Sequence, residues 1–220
     1  MKKISENSKV MYVNDGSKDK TWELIQKIYK EEKLFTGICL SRNREHQNAL
    51  LAGLMRAKKY ADVVISMDAD LQDDINAMDE MLDKYYTGNE IVYGVRSARK
   101  KDTWFKRVTA EGLYKFMEKM GVEIVYNHAD YRLTSKNVLN YLENYREVNL
   151  FLGGIFPLIS FKLDIVYYER NERFVGKSKH PLKKMLSLGI IGQYIGKIYN
   201  ETKQRPRYII SCNLNEKEIN

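Results

Sequence analysis

Cysteine, proline and histidine are scarce in this chain, with two, three and three copies among 220 residues. Two cysteines build neither a disulfide framework nor a thiolate zinc site. Cys39 lies in the apolar run "GICL" and reads as a buried thiol; Cys212 lies near a polar tail. That usage fits a reducing, cytoplasmic setting, with neither thiol catalytic. His46, His128 and His180 are dispersed without the spacing of metal ligands. Long apolar runs are missing as well. The uncharged stretch from Met185 to Gly196 falls short of the ~20 residues that a membrane span needs. The opening "MKKISENSKV" has lysines but no apolar core, so it does not read as a secretory signal. No low-complexity linker or internal repeat is present.

What is present is an ordinary globular composition, 44% hydrophobic and 30% charged. A chain of this length can bury roughly 70% of its unfolded surface around one core. The net charge of +8 implies an anionic partner: a nucleic acid, a phospholipid surface or a phosphorylated substrate. The 16 tyrosines come with no RNP-like or zinc-finger pattern, so nucleic acid has charge alone in its favour and is set aside.

Short β-branched runs alternate with segments of helical period. "KVMYV" predicts a strand and "KTWELIQKIYKEE" a helix with Trp22, Ile25 and Tyr29 on one side. "TGICL" and "HQNALLAGLMRAKKY" repeat the pair, as do "DVVISM" and "INAMDEMLDKYY", before a fourth strand "EIVYGV". A long helix from about Thr103 to Met120, the segment "HADYRL" and an alternating strand "FKLDIVYYE" follow. The pattern predicts a doubly wound α/β domain with a mostly parallel sheet, whose ligands bind beyond the carboxyl ends of the strands.

Those exits read "NDGS", "SRN", "DAD" and "RSARKK", and the two acidic ones are expected at neighbouring places in the sheet. In "VVISMDADLQDD" an apolar strand runs straight into Asp68, Asp70, Asp73 and Asp74. Carboxylates this close repel one another, so a positive group must sit among them. Asp68 and Asp70, two apart in extended backbone, point to one side. Hard oxygen ligands there suit Mg2+ or Mn2+, with water and phosphate oxygens filling the shell. Acids after a strand also serve simply to solvate a loop or cap a helix. A D-x-D pair marks aspartate-nucleophile phosphatases too, but those place Thr or Val where this chain has Gln72, and they use the first strand of the domain.

The ordered set "VNDGSKDKT", "LSRNREHQNALLAGL", "VVISMDADLQDD", "IVYGVRSARK", "HADYRL" and "ERFVGKSKHPLKKML" resembles the family 2 glycosyltransferases with a GT-A fold. Within them it is most similar to the branch of polyprenyl-phosphate glycosyltransferases and dolichol-phosphate mannose synthase. The resemblance runs from about Val10 to Leu186 and resumes at "YIGKIYNETKQRPRYII". It implies that Asp15 contacts the nucleotide base or ribose, that Asp68 and Asp70 hold the metal, and that Gln72 lies beside the sugar. It also implies that Asp130 is the acceptor-side acid, followed by Arg132 at the acceptor phosphate. Arg96 matches the arginine after the fourth strand on the donor side, and Arg173, Lys177 and Ser178 match a loop over phosphates.

Two departures accompany the likeness. Relatives begin with a strand and turn of the type V-P-V-Y-N-E and a helix, which this chain lacks, so weaker nucleotide binding and an incomplete sheet are expected. Membrane-embedded relatives carry two spanning helices between segments like "PLKKMLSL" and "YIGKIYNE", which here are joined directly. The expected organisation is a GT-A-like domain over 1–181, an amphipathic closing helical segment and short strand over 182–210, and a polar tail over 211–220. The expected activity is transfer of a sugar from a nucleotide diphosphate-sugar to a polyprenyl phosphate, metal-assisted and inverting. Lys183 and Lys184 would then help hold the chain peripherally on an anionic, cytoplasmic membrane face. The alternatives are a soluble family 2 transferase with a saccharide acceptor, and an inactive nucleotide- or membrane-binding remnant.

Overall fold

The structure, a computed structural model, describes residues 7–96, 128–145, 152–159, 161–169, 202 and 207–214. The expected helix over 103–120, the loop with Arg173, Lys177 and Ser178, and the segment over 182–199 lie outside these residues. The described chain divides into two compact units, one with residues 7–60, 202 and 207–214, the other with the rest. Length alone reads as one core; the contacts make two.

In the first unit, strand β1 (Val10–Asn14), helix α1 (Thr21–Glu31), strand β2 (Phe35–Leu40) and helix α2 (His46–Ala57) form two successive strand–helix pairs, joined by β7 (Ile210–Leu214). The sheet order is β1-β2-β7, with β1 and β2 parallel and β7 antiparallel to β2. Alternation along β2 sends Ile38 and Leu40 to one face, where Ala49 and Ala52 of α2 complete a buried cluster. Gly37 points to the other face, and a Cβ there would lie 2.8 Å from Ile25 Cγ2 of α1. Helices therefore cover both faces, as the doubly wound reading requires.

The strand β7 occupies positions that the sequence reads as polar tail, which shortens that tail. It also sets Cys212 directly opposite Cys39 in the antiparallel ladder, both as free thiols. Paired residues on antiparallel strands share a face at about 4.5–5.5 Å between Cα atoms, within the span of a disulfide. Oxidised glutathione is therefore expected to consume both thiols and give a monomer with an internal disulfide. Tying β7 to β2 should stabilise the fold by about 2–4 kcal/mol. Burial pushes the Cys39 thiol up, so the reaction should quicken as pH rises. Thiol counts and non-reducing electrophoresis of the parent and Cys212→Ser check this; disulfide-linked dimers in place of monomer would contradict it.

In the second unit, strand β3 (Val63–Ser66), helix α3 (Ala77–Tyr86), strand β4 (Ile91–Arg96), strand β5 (His128–Ser135), helix α4 (Lys136–Leu142), helix α5 (Leu152–Leu158) and strand β6 (Leu163–Tyr168) follow one another. The order β3-β5-β4-β6 inserts β5 antiparallel between β3 and β4, while β4 and β6 are parallel. Each sheet thus keeps one direction except for a single reversed strand. The expected adjacency of the "NDGS" and "DAD" exits is corrected here: β1 pairs with β2 and β3 pairs with β5, in different sheets. The β4 residues Ile91, Val92, Tyr93 and Val95 are buried, as are Met81 and Leu82 of α3, the helix that packs on β4. Gly94 admits no side chain, since a Cβ would meet Tyr131 Cδ1 at 2.7 Å and Met81 Cε at 2.9 Å. Ser135 caps α4 by accepting the Val138 N–H at 3.2 Å, and its hydroxyl donates to the Glu90 carboxylate. Among the described residues no helix is long and apolar enough to cross a membrane.

Candidate active site

The end of the first strand turns tightly. Asn14 Oδ1 accepts the Ser17 N–H at 2.8 Å, closing a turn in which Gly16 takes φ 65°. A Cβ on Gly16 would lie 2.5 Å from the Arg42 carbonyl carbon, so only glycine lets the turn lie against the loop after β2. Asp15 is tied into that contact by accepting the Arg44 N–H at 2.7 Å. The carboxylate expected near the nucleotide base or ribose is thereby held in a fixed direction.

In the second unit, the chain leaving β3 also turns sharply. Leu71 takes φ 60°, a conformation that costs a non-glycine residue roughly 1–2 kcal/mol. Asp70 Oδ1 supports the turn by accepting the Gln72 N–H at 3.1 Å. Strain at a strand exit is a mark of functional sites. The turn leaves Asp68 and Asp70 half-buried and drives Gln72 and Asp73 inside, with Leu71 67% exposed.

Asp130 reaches the same place from another strand. Ser66, the last residue of β3, pairs with Arg132, and its hydroxyl donates to the Asp130 carbonyl at 2.7 Å. Two residues further along each antiparallel strand stand Asp68 and Asp130, so acids 62 positions apart in sequence leave the same end of one strand pair.

The positive group called for by this acid cluster is Arg96, the last residue of β4. Its Nε donates to the Tyr168 hydroxyl at 3.2 Å and its Nη2 lies 3.5 Å from Asp73 Oδ1. Burial disfavours the guanidinium charge, but the Tyr168 hydrogen bond and the carboxylates of Asp73 and Asp68 outweigh it, and its pKa is raised. Tyr168 in turn donates to Asp73 Oδ1 at 2.5 Å; burial first, then that bond, pushes its phenol up to about 12. Tyr131 packs edge-on against Tyr168 with centroids 5.2 Å apart and donates to the Asp74 carbonyl at 2.9 Å.

Arg132 requires a correction. It is 1% exposed, with its guanidinium carbon 4.7 Å from the Tyr93 ring centroid and 4.3 Å from that of Phe156. Burial depresses its pKa, and Nε and Nη2 have no hydrogen-bond partner among the described residues. The rung opposite Tyr93 turns this side chain into the interior beside α5, away from the exposed strand ends. Sequence reasoning passed over Asp73 and Tyr168 as functional residues. Asp73 stood among four similar acids, and Tyr168 closed an ordinary alternating strand.

Among the described residues no group of three or more His, Cys, Asp or Glu side chains forms a metal cluster. The Asp68 and Asp70 pair, two hard carboxylate donors, fits a Mg2+ or Mn2+ ion that draws its remaining ligands from water and phosphate.

Two mixed sheets flanked by helices are consistent with the GT-A fold. Residues 2–145 match the model of Glycosyl transferase family 2, and the chain belongs to that family and is a glycosyltransferase. It is 42% identical to the uncharacterized glycosyltransferase YkoT of Bacillus subtilis (strain 168), over 99% of this chain and 84% of the relative. It is 30% identical to the prophage bactoprenol glucosyl transferase homolog of Escherichia coli (strain K12), over 91% and 87%. The bactoprenol glucosyl transferase of Shigella phage SfX is also 30% identical, over the same shares. The Bacillus alignment runs over 283 positions and this chain has 220 residues, so at least 63 positions within the aligned span have no counterpart here.

Proposed function

We propose that this glycosyltransferase moves a sugar from a nucleotide diphosphate-sugar to a polyprenyl phosphate of the undecaprenyl type, with inversion at the anomeric carbon. The observation that carries the reading is the convergence of Asp68, Asp70, Asp130 and Arg96 at one end of the second sheet. The relatives named as bactoprenol glucosyl transferases supply the acceptor class.

In this reading the acceptor phosphate oxygen attacks the anomeric carbon while the bond from that carbon to the diphosphate oxygen breaks, its electron pair leaving with the nucleoside diphosphate. A phosphate monoester is largely ionised near neutral pH, its second pKa being about 6, so little proton removal is needed. Asp130 chiefly orients the acceptor. Arg96 faces the charge that develops on the diphosphate. Asp68 and Asp70 would hold a Mg2+ or Mn2+ ion, which would supply Lewis-acid stabilisation of the leaving diphosphate. Gln72 is buried behind the turn, where its backbone N–H holds Asp70 in place. Leu71 and Ile75, 67% and 64% exposed beside the acids, suit an acceptor with an apolar tail.

The test is transfer of labelled sugar from nucleotide-sugars to undecaprenyl phosphate or to free saccharides, with Mn2+ or Mg2+ present. Label in the lipid extract supports the reading. Label on a saccharide supports the soluble alternative, and donor hydrolysis without transfer overturns both acceptors.

Here "PLKKMLSL" runs on to "YIGKIYNE" with only five residues between them, and in this reading attachment falls to charge and apolar residues of that segment. Each lysine near an anionic surface contributes about 1 kcal/mol, screened by salt. Lys179, Lys183, Lys184 and Lys197 should therefore give reversible sedimentation with anionic liposomes at low salt. A Lys183→Glu, Lys184→Glu variant should lose it, and binding indifferent to both salt and charge reversal would contradict an electrostatic attachment.

A further inference from the structure

Asp73 differs from its acidic neighbours because its side chain is fully buried, so no substrate reaches it. One oxygen, Oδ1, receives the Tyr168 hydroxyl and faces Arg96; the other, Oδ2, has no hydrogen-bond partner among the described residues. Burying a carboxylate with one oxygen unpaired works against stability, which marks the group as kept for its effect on neighbours.

Those neighbours form a chain of contacts. Arg96 and Tyr168 are register partners on the last rung of the parallel β4/β6 ladder. The Tyr168 hydroxyl accepts from Arg96 Nε and donates to Asp73, and the edge-on ring of Tyr131 fixes its plane. An arginine side chain is long and rotamer-rich, and a planar guanidinium recognises phosphate only when correctly aimed. Here two of its nitrogens are engaged from behind, a quarter of the side chain is exposed, and Asp68 lies within electrostatic reach.

We propose that Asp73 and Tyr168 are positioning residues that hold Arg96 toward the donor diphosphate beside Asp68. The inference rests on the reading that a nucleoside diphosphate binds at this strand end. Tyr168→Phe removes the bridging hydroxyl and keeps the ring.

The experiment is calorimetric titration of uridine and guanosine diphosphates with Mn2+ into the parent, Tyr168→Phe, Arg96→Gln and the double variant, with melting temperatures alongside. Loss of a hydrogen bond to a charged group should weaken nucleotide binding about tenfold in Tyr168→Phe, with a lower melting temperature because the buried Asp73 carboxylate loses a donor. In the Arg96→Gln background the same change should cost less than about twofold, because its effect passes through Arg96. An equal loss in both backgrounds makes Tyr168 a strut of the sheet and overturns the inference alone. A parent that binds neither diphosphate overturns the reading of the site and the inference with it. If Tyr168→Phe does not fold, Asp73→Asn takes its place in the same cycle, with the same two outcomes.

Discussion

Asp130→Asn is expected to lower sugar transfer by about 10²-fold while leaving nucleotide-sugar affinity within about twofold of the parent. The split follows from where the residue stands. Asp130 lies on the reversed strand β5, and the strand ladder with the Ser66 hydroxyl on its carbonyl holds its backbone, so the substitution changes charge and not position. Its proposed work is toward the acceptor, and an interaction realised mainly in the transition state appears in turnover and not in donor binding. Because the acceptor phosphate ionises with a pKa of about 6, transfer in parent and variant alike should fall as pH drops below that value. An acceptor hydroxyl would make Asp130 a true base and the loss larger. Initial rates at saturating donor, with donor affinity measured separately, check the prediction. A matching fall in donor affinity would place Asp130 on the nucleotide side.

Strands β1 to β4 and β6 and helices α1 to α3 were legible from local pattern, since β-branched runs alternate with amphipathic segments; β5, β7, α4 and α5 were not. Even the need for a cation among the acids of "MDADLQDD" could be argued from charge repulsion. Its identity could not, because Arg96 meets Asp73 and Tyr168 only through the register of β4 on β6 and the turn at Leu71. Arg132 shows the same limit from the other side. The resemblance makes it a phosphate ligand, yet the rings that enclose it come from β4 and α5. The segment "HADYRLTS" hides its strand because Asp130 and Arg132 interrupt the apolar alternation, and the reversed direction of β5 is a tertiary fact. Cys39 and Cys212, 173 positions apart, likewise become partners only when β7 folds back on β2.

Asp70→Asn should weaken Mn2+-dependent binding of nucleoside diphosphates by about 10²-fold, the scale of removing one of two carboxylate charges from a partly buried cation. The substitution is a clean probe because of the turn it sits in. Asp70 Oδ1 accepts the Gln72 N–H, and an asparagine side-chain oxygen can accept the same bond, so the left-handed Leu71 turn and the fold behind it should persist. An unchanged melting temperature would confirm that only charge was lost. With two protein carboxylates the shell depends on water and phosphate oxygens, so Mn2+ alone should bind the parent weakly and nucleotide should strengthen it. Titrations of the parent with nucleotide, with Mn2+ and with both together should therefore be strongly non-additive, and the variant should lose that coupling. Equal, metal-independent nucleotide binding in parent and variant would instead leave Asp70 as a turn residue and remove the metal from the mechanism.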